Sequence, residues 1–386
     1  MSRTTTAIVL NKLKGVWELR EVSLAAIRPD EALVEIHASG ICHTDLSCAS
    51  GILPCTAPAV LGHEGAGVVL ETGSAITHVS AGDKVLLSFS YCNACKPCLA
   101  GHPAYCYDFN NWNFGGSRPD GSSAMFINNK DGEDELDNNN KKQQTRVHSS
   151  FFGQSSFARH TLVHKTSLVK IPAASADTPL ALLAPLGCGI QTGAGAVLNT
   201  LNASAGSTIA VFGVGSVGLS AVMAAKMRGA ATIIAIDLHS SRLELAKRLG
   251  ATHAILGSDK DVKDQIRTLC PPIGVDFAVD CTGVPAVVES MIESLGACGR
   301  AATVGTPGPG KFAKVEINSL LVHGREYVGC VEGDCIPEKF IPYLLEQYAK
   351  GELPLEEIIT YYPISEYKKA IEDSENGSVI KAVLKW

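Results

Sequence analysis

Four of the chain's thirteen cysteines lie close together in sequence, at a spacing that suits a metal ion. Four thiolates from one short loop can surround a tetrahedral zinc ion and leave no open position, which makes such a site structural. Four cysteines also hold iron–sulfur clusters, so that alternative stays open. Four unrelated buried thiols would not be expected to cluster between glycine, proline and polar residues. The pattern C-x2-C-x2-C-x7-C therefore predicts a closed structural zinc site formed by Cys92, Cys95, Cys98 and Cys106.

A second candidate metal site is dispersed along the chain. Cys42 lies in the segment GICHTD, His63 in GHEG and Cys188 in PLGCG. Two cysteines and one histidine leave the fourth zinc position open to water or substrate, as a catalytic site requires. Scattered ligands follow no spacing rule, and a single histidine or cysteine is usually a core residue, so spacing alone does not establish this site.

A glycine-rich motif indicates dinucleotide binding. It follows a predicted strand, Thr208–Phe212, and precedes a helical pattern, as in a phosphate-binding strand–turn–helix unit. Asp237 ends the next predicted strand, about twenty residues after the last glycine, where a carboxylate binds the adenosine ribose hydroxyls and repels a 2′-phosphate. The alternative is a glycine turn that only packs two elements together. The G-x-G-x-x-G motif comprises Gly213, Val214, Gly215, Ser216, Val217 and Gly218.

Composition excludes several other classes of protein. The chain has 386 residues, 46% apolar and 19% charged, which is typical of a soluble protein with two domains. The net charge is −6, and no cluster of Lys and Arg with aromatic residues is present, so nucleic acid is a poor candidate partner. The uncharged stretch 178–225 is interrupted by glycines and Pro185 and predicts no membrane span. Many cysteines without a signal sequence favour a cytoplasmic location.

The predicted secondary structure that positions these residues changes along the chain, from short strands to alternating strands and helices. The first third contains short β segments, among them Ala32–Ala38, Gly65–Glu71 and Lys84–Ser88, and predicts a compact, partly barrel-like β domain. From about Ser207, strands alternate with helices, which predicts a doubly wound parallel sheet and hence an α/β fold. Asn128–Gln144 is almost wholly polar and is predicted to be a surface insertion.

The motifs taken in order resemble those of the medium-chain, zinc-containing alcohol dehydrogenases, over nearly the whole chain. The family's order is kept by Gly40–Asp45, Gly62–Gly65, the four cysteines, Cys188 and Gly213–Gly218. Phe151–Phe157, Pro185–Gly195 and Val331–Asp334 are most similar to the aryl (benzyl) alcohol dehydrogenase branch.

The resemblance implies an architecture and a set of cofactors. A β-rich, GroES-like catalytic domain would comprise residues 1–189, with 332–386 returning to it, and a Rossmann cofactor domain would comprise 190–331. Each chain would bind NAD, one catalytic zinc ion and one structural zinc ion. The enzyme would be a homodimer or homotetramer without a membrane or nucleic-acid partner.

The resemblance also implies individual roles. Cys42, His63 and Cys188 would hold the catalytic zinc, with Glu64 beside it as an exchangeable ligand. Asp45 would orient His63, and Thr44 would hydrogen-bond the substrate oxygen and pass its proton outward. The implied cofactor contacts are Thr192 and Val217 at the nicotinamide, Gly213, Val214, Gly215, Ser216 and Gly218 at the phosphates, Asp237 and Arg242 at the adenosine, and Val304. Phe151 and Phe152 would line the substrate pocket; the alternative is that both are ordinary core residues and that the pocket suits short aliphatic alcohols.

The chain departs in two places from the sequence pattern of the liver-type members of this family. Ser47 stands where those enzymes have a histidine that relays the proton, so the proton would leave through His43, the cofactor ribose or water. Glu332 and Asp334 stand in a segment where a basic residue often faces the pyrophosphate.

The expected reaction is hydride transfer between a primary benzylic or allylic alcohol, or its aldehyde, and NAD(H). One rival is a biosynthetic reductase or cyclase on the same scaffold, which would act on an activated alkene or an iminium. Such relatives often lack the relay hydroxyl or the glutamate, and this chain has both Thr44 and Glu64. The second rival is an inactive zinc-binding protein, which an intact set of ligands and an intact glycine motif do not favour.

Overall fold

The computed structural model describes residues 3–128 and 144–386, so the predicted insertion at 128–144 lies almost entirely outside the described residues. The chain divides into two compact units. The first unit comprises Met1–Cys188, Ile336–Pro342 and Leu355–Trp386, and the second comprises Gly189–Cys335 and Tyr343–Pro354. Residues 332–386 are predicted from the sequence to return to the catalytic domain, whereas 332–335 and Tyr343–Pro354 belong to the second unit.

The described residues form strands and helices throughout both units. The strands are β1 (Arg3–Leu10), β2 (Trp17–Leu24), β3 (Glu31–Gly40), β4 (Glu64–Thr72), β5 (Lys84–Leu87), β6 (Met125–Asn128), β7 (Gln144–Val147), β8 (His160–His164), β9 (Leu168–Lys170), β10 (Thr208–Phe212), β11 (Thr232–Asp237), β12 (His253–Leu256), β13 (Val275–Asp280), β14 (Leu295–Thr303), β15 (Glu326–Gly329), β16 (Ile359–Pro363) and β17 (Lys381–Lys385). The α-helices are α1 (His43–Ala49), α2 (Lys96–Leu99), α3 (Phe109–Phe114), α4 (Leu180–Leu183), α5 (Gly189–Gly195), α6 (Ser216–Met227), α7 (Ser240–Leu249), α8 (Val262–Leu269), α9 (Pro285–Glu293), α10 (Ile317–His323), α11 (Pro337–Ala349) and α12 (Tyr367–Glu375).

The first unit is built around strand β3, which pairs with β4, β8 and β17 and belongs to the sheet β16-β17-β3-β4-β5-β9. Its core side chains are short and apolar, including Val34, Ile36, Val69 and Val85. A second sheet has the order β1-β2-β6-β7. Gly40 at the end of β3 lies opposite Glu64 at the start of β4 and opposite Val383 of β17. The segments that follow β3 and precede β4 and β17 therefore meet at one end of the sheet.

The second unit contains a parallel sheet of order β12-β11-β10-β13-β14-β15. This is the doubly wound order of dinucleotide-binding folds, in which ligands bind beyond the carboxyl ends of the strands. The strand predicted at Thr208–Phe212 is β10, Asp237 ends β11 as predicted, and strands and helices alternate through this unit as expected from about Ser207 onward. The sequence analysis does not predict β15, because Glu326–Gly329 is short and largely exposed and therefore lacks the apolar pattern of a buried strand.

Among the described residues, no single helix has the length and apolar character needed to cross a membrane. The consecutive helical segments Leu180–Gly187 and Gly189–Thr200 are long and apolar enough for a membrane span only when the two are taken together, and they are bent by 54° at the break between them.

Candidate active site and metal centres

The three dispersed ligands predicted from the sequence converge in the first unit. One ligand atom each from Cys42, His63 and Cys188 lies within 4.8 Å of the other two. Cys42 directly precedes α1, His63 directly precedes β4, and Cys188 follows the short helical turn Ala184–Gly187. The sheet register described above brings the first two together, although 20 residues separate them in the printed sequence.

The carboxylate of Asp45 holds the histidine of this trio in place. Its Oδ1 accepts hydrogen bonds from His63 Nδ1 and from the Gly62 backbone N–H, both at 3.0 Å, and its Oδ2 accepts from Cys42 N–H at 2.9 Å. Asp45 and His63 are both fully buried. Because Nδ1 donates to the carboxylate, Nε2 carries a free lone pair, and it makes no hydrogen bond within the described chain. A buried, partnerless ring nitrogen beside two thiols fits a metal ligand.

The charges around the trio also favour a cation. A hydrogen bond from Cys188, followed by the influence of His63, lowers the pKa of the Cys42 thiol far below its usual value despite burial. Burial acts to lower the pKa of His63, but the negative charges of Asp45 and Cys42 outweigh it and raise this pKa. Thiolates are the metal-binding form of cysteine. The residues present therefore fit a zinc ion bound by two thiolates and one imidazole.

Glu64 forms a buried ion pair that the sequence analysis missed. Lys381 Nζ lies 2.8 Å and 3.0 Å from the two carboxylate oxygens of Glu64 and donates to the Ile41 carbonyl at 3.1 Å. Burial acts to lower the pKa of Lys381, but Glu64 raises it above its usual value. The carboxylate of Glu64 is not part of the converging trio. A lysine within the apolar strand VIKAVLKW was the available sequence signal.

The predicted proton-relay residues lie on the first turns of α1. His43 is exposed, Thr44 is half-buried and Ser47 is buried. Asp45 and Thr44 are neighbours on this helix, so the histidine-orienting carboxylate and the predicted relay hydroxyl are positioned by the same short element. The relay roles themselves remain predictions.

Two aromatic rings pack directly on the metal-binding histidine. Phe152 stacks on His63 with ring centroids 4.5 Å apart and planes 25° apart, and Phe151 meets His63 edge-on at 5.4 Å. Phe114 of α3 packs edge-on against both phenylalanines. Phe152 has φ of 52°, a backbone conformation that a bulky residue adopts only when its surroundings hold it there.

The four clustered cysteines converge as predicted. The ligand atoms of Cys92, Cys95, Cys98 and Cys106 all lie within 4.8 Å of one another. Sulfur–sulfur distances of 3.4 to 3.9 Å recur within the cluster. Zinc–sulfur bonds of about 2.3 Å place tetrahedral thiolates about 3.8 Å apart. The four sulfur atoms, all within 4.8 Å of one another, therefore fit a single tetrahedral ion. Backbone hydrogen bonding, chiefly from Cys98, lowers the pKa of Cys95 to about 6.

The glycine motif in the second unit has the backbone geometry that the dinucleotide prediction requires. Gly213 has φ of 83°, which favours glycine, and a side chain at Gly218 would lie 1.9 Å from the Gly213 carbonyl oxygen. A side chain at Gly215 would meet no atom within 4 Å, so the backbone there is open to a ligand. Helix α6 begins at Ser216, where its N-terminus can face a phosphate.

Asp237 lies at the end of β11 beside this motif. Its Oδ2 accepts from Val214 N–H at 2.8 Å and its Oδ1 from His239 N–H at 2.9 Å, while Arg242 Nη1 lies 4.0 Å from Oδ2. The other predicted cofactor residues in this unit are Val217 on α6, Thr192 on α5 and Val304 directly after β14.

The two acidic residues that depart from the liver-type pattern have different surroundings. Glu332 is buried and accepts a hydrogen bond from Gln191 Nε2 at 2.9 Å. Asp334 is partly exposed, and both residues have positive φ.

Comparisons with known proteins identify the family of the chain. Residues 28–173 match the alcohol dehydrogenase GroES-like domain, and residues 216–350 match the zinc-binding dehydrogenase domain. The chain is 37% identical to geraniol dehydrogenase of Castellaniella defragrans, over 98% of this chain and 96% of that protein. It is 34% identical to S-(hydroxymethyl)glutathione dehydrogenase of Saccharomyces cerevisiae, over 98% and 95%. The crystal structure of benzyl alcohol dehydrogenase from Acinetobacter calcoaceticus is similar, with a TM-score of 0.91, 39% identity and 99% of each chain covered.

Two zinc ions per chain are expected, and they should be separable by mutation. Cys188→Ala removes a ligand of the open site and should yield a folded protein with one zinc ion. Cys95→Ala should lower the free energy of unfolding and the yield of folded protein, because structural zinc contributes folding energy directly. Elemental analysis and urea unfolding would measure both effects. One zinc ion in the unmutated protein, or two in Cys188→Ala, would contradict the assignment.

Proposed function

We propose, from the chain's membership of the medium-chain, zinc-dependent alcohol dehydrogenase family, that it oxidises primary benzylic or allylic alcohols to aldehydes with NAD and catalyses the reverse reduction. The family, its zinc and its NAD(H)-linked alcohol chemistry agree with the sequence analysis, as does the combination of a GroES-like and a Rossmann domain. What we propose beyond the family is the class of substrate, namely benzylic and allylic primary alcohols. It rests chiefly on the two phenylalanine rings packed against the metal-binding histidine.

Two of the similar proteins are named for alcohols that share one feature. Geraniol is an allylic primary alcohol and benzyl alcohol is a benzylic one, so both carry a flat π-system next to the reacting carbon. Relatives with these names match the chain over nearly its full length. Aromatic rings pack favourably face to face and edge to face. Phe151 and Phe152, which are 3% exposed and contact the ring of His63, are proposed to border the space that a flat substrate would occupy.

The proposed reaction converts alcohol and NAD⁺ into aldehyde, NADH and a proton. When bound, zinc supplies Lewis-acid stabilisation of negative charge on the substrate oxygen, and NAD accepts the hydride. Cys42, His63 and Cys188 would hold the zinc ion with three ligands, which leaves room for the substrate oxygen. Asp45 keeps the ring of His63 fixed, and the buried phenylalanines keep water away from that ring.

Thr44 is proposed to relay the hydroxyl proton of the substrate: its oxygen accepts that proton while its own hydroxyl proton passes to the next acceptor on the way to solvent. Ser47 cannot replace a histidine as a proton carrier, because a serine hydroxyl does not titrate near neutral pH. His43 is the exposed histidine adjacent to Thr44, so it is a candidate for passing the proton to solvent, together with the cofactor ribose and water.

We also propose a cytoplasmic homo-oligomer. Apolar side chains are exposed where α10 leads into β15 at the edge of the parallel sheet, namely Ile317, Leu321, Val322 and Tyr327. A second copy would cover such a patch, since monomers rarely expose contiguous apolar surface. Sedimentation equilibrium at micromolar concentration should give the mass of a dimer or tetramer, and Leu321→Asp should lower it. A monomer mass for the unmutated protein would refute this assembly.

NAD should be preferred to NADP. Two backbone N–H groups hold the Asp237 carboxylate at the end of β11, where it would repel a 2′-phosphate. Asp237→Ser should lower the NAD-to-NADP ratio of kcat/KM by about tenfold or more, since like-charge juxtaposition costs several kcal/mol. Asp276→Ser, on β13 of the same unit, is the matched control and should leave the ratio unchanged. Equal efficiency with both cofactors before mutation would show that the role given to Asp237 is wrong.

Benzyl and cinnamyl alcohols should be better substrates than ethanol, as measured by kcat/KM. Phe152→Leu should lower the benzyl-to-ethanol ratio by roughly tenfold or more, within the 1–3 kcal/mol that apolar pockets discriminate. The same exchange at Phe126 of β6 is the control and should leave the ratio unchanged.

An enzyme at least as efficient with ethanol would rule out the aryl and allylic substrate class while leaving the dehydrogenase assignment intact. Turnover confined to activated alkenes would instead support the biosynthetic reductase.

A further inference from the structure

A fully buried glutamine connects the segments of two metal ligands. Gln154 Oε1 accepts from the Gly65 backbone N–H at 3.1 Å, and Gln154 Nε2 donates to the carbonyls of His63 and Ser88, both at 3.0 Å. The partners fix the orientation of the amide, because the N–H needs an acceptor and the two carbonyls need donors. Gln154 thus spans the first residues of β4 and the residue that follows β5.

Ser88 extends this connection to the third ligand. Its hydroxyl donates to the Gly187 carbonyl at 2.8 Å, and Gly187 directly precedes Cys188. Its backbone N–H donates to Ser167 at 2.9 Å, which ties the same residue to the neighbouring loop. Gln154 and Ser88 are both completely buried. A continuous path of side-chain hydrogen bonds therefore runs from the His63 carbonyl through Gln154 and Ser88 to the residue before Cys188.

Asp45 does not make this connection. Within the described chain its side chain bonds to Cys42, Gly62 and His63, which fixes two of the three ligands relative to each other. A zinc site tolerates deviations of only about 0.2 Å in its ligand distances. The third ligand must therefore be located as closely as the first two, and a buried, satisfied polar network is rigid enough to do so.

Gln154 also follows directly on the strained aromatic turn. Its backbone N–H donates to the Phe151 carbonyl at 3.0 Å, and the turn places Phe152 against the ring of His63. Gln154 is therefore hydrogen-bonded both to the segments that carry the metal ligands and to the turn whose phenylalanine rings cover His63.

We propose that Gln154 and Ser88 are positioning residues of the catalytic metal site, which fix the spacing between His63 and Cys188 and thereby set how tightly the metal is held. This inference rests on the proposed ligand set and is independent of the substrate.

Zinc retention tests the proposal without using turnover. Gln154→Met keeps the length of the side chain but loses its three hydrogen bonds, and Ser88→Ala loses the hydroxyl. Asn113→Leu is the matched control: Asn113 is an equally buried amide with three backbone partners, but these belong to Ser90 and Phe109. Each protein would be titrated with a zinc chelator, and the two ions followed separately. The four-cysteine site serves as a reference within the same chain.

Gln154→Met and Ser88→Ala should weaken binding of the catalytic zinc by about 10- to 100-fold, the range found for residues that support metal ligands. The zinc of the four-cysteine site should stay bound as in the unmutated protein. Retention equal to that of Asn113→Leu would overturn the proposal, and so would parallel loss of both ions. An unmutated protein with a single zinc ion would instead show that the ligand assignment itself is wrong.

Discussion

The carboxylate of Asp45 is buried without an ionic partner among the described lysines and arginines, and its burial is tolerable only because its oxygens are hydrogen-bonded. Those donors come from the end of β3 and from the approach to β4. They reach one carboxylate only if the two strands pair in the observed register, with Gly40 opposite Glu64. A shift of one residue would remove the Asp45 bonds to Gly62 and His63, leaving only the local bond from Cys42, and would move His63 away from Cys42. The same constraint therefore determines the sheet register and the geometry of the metal ligands.

The negative charge buried around the three metal ligands also favours a compensating cation. Lys381 pairs with Glu64 and its charge also acts on the Cys42 thiol, while the carboxylate of Asp45 is hydrogen-bonded to the imidazole of His63. A divalent cation completes the charge balance of this cluster, so zinc supports the local structure as well as the chemistry. The four-cysteine site differs because its ligands come from one loop and need no distant strand to bring them together.

This difference explains which features the sequence revealed. The cysteine loop and the glycine motif are local, so the spacing of the cysteines, and the glycines together with the strand and helix patterns that flank them, predicted both sites. Cys42, His63 and Cys188 are distant in sequence, and only the order of motifs shared with a known family pointed to them. Lys381, Gln154 and Ser88 carry no motif, because their roles depend on which backbone groups the folded sheets place beside them. Strand β15 was missed because an exposed sheet edge does not need a regular apolar pattern.

Replacing the catalytic zinc with Co²⁺ tests the central claim most directly, since the visible spectrum of cobalt reports its ligands. The unmutated protein should show the intense bands of a tetrahedral site with thiolate ligands, and the bands should shift when benzyl alcohol is added. Asp45→Asn, which weakens the hold on His63 while leaving the four-cysteine site intact, should broaden or weaken the bands of the open site. A spectrum that is unaffected by both alcohol and Asp45→Asn would contradict the account, because it would place neither the substrate nor the Asp45–His63 pair at the metal.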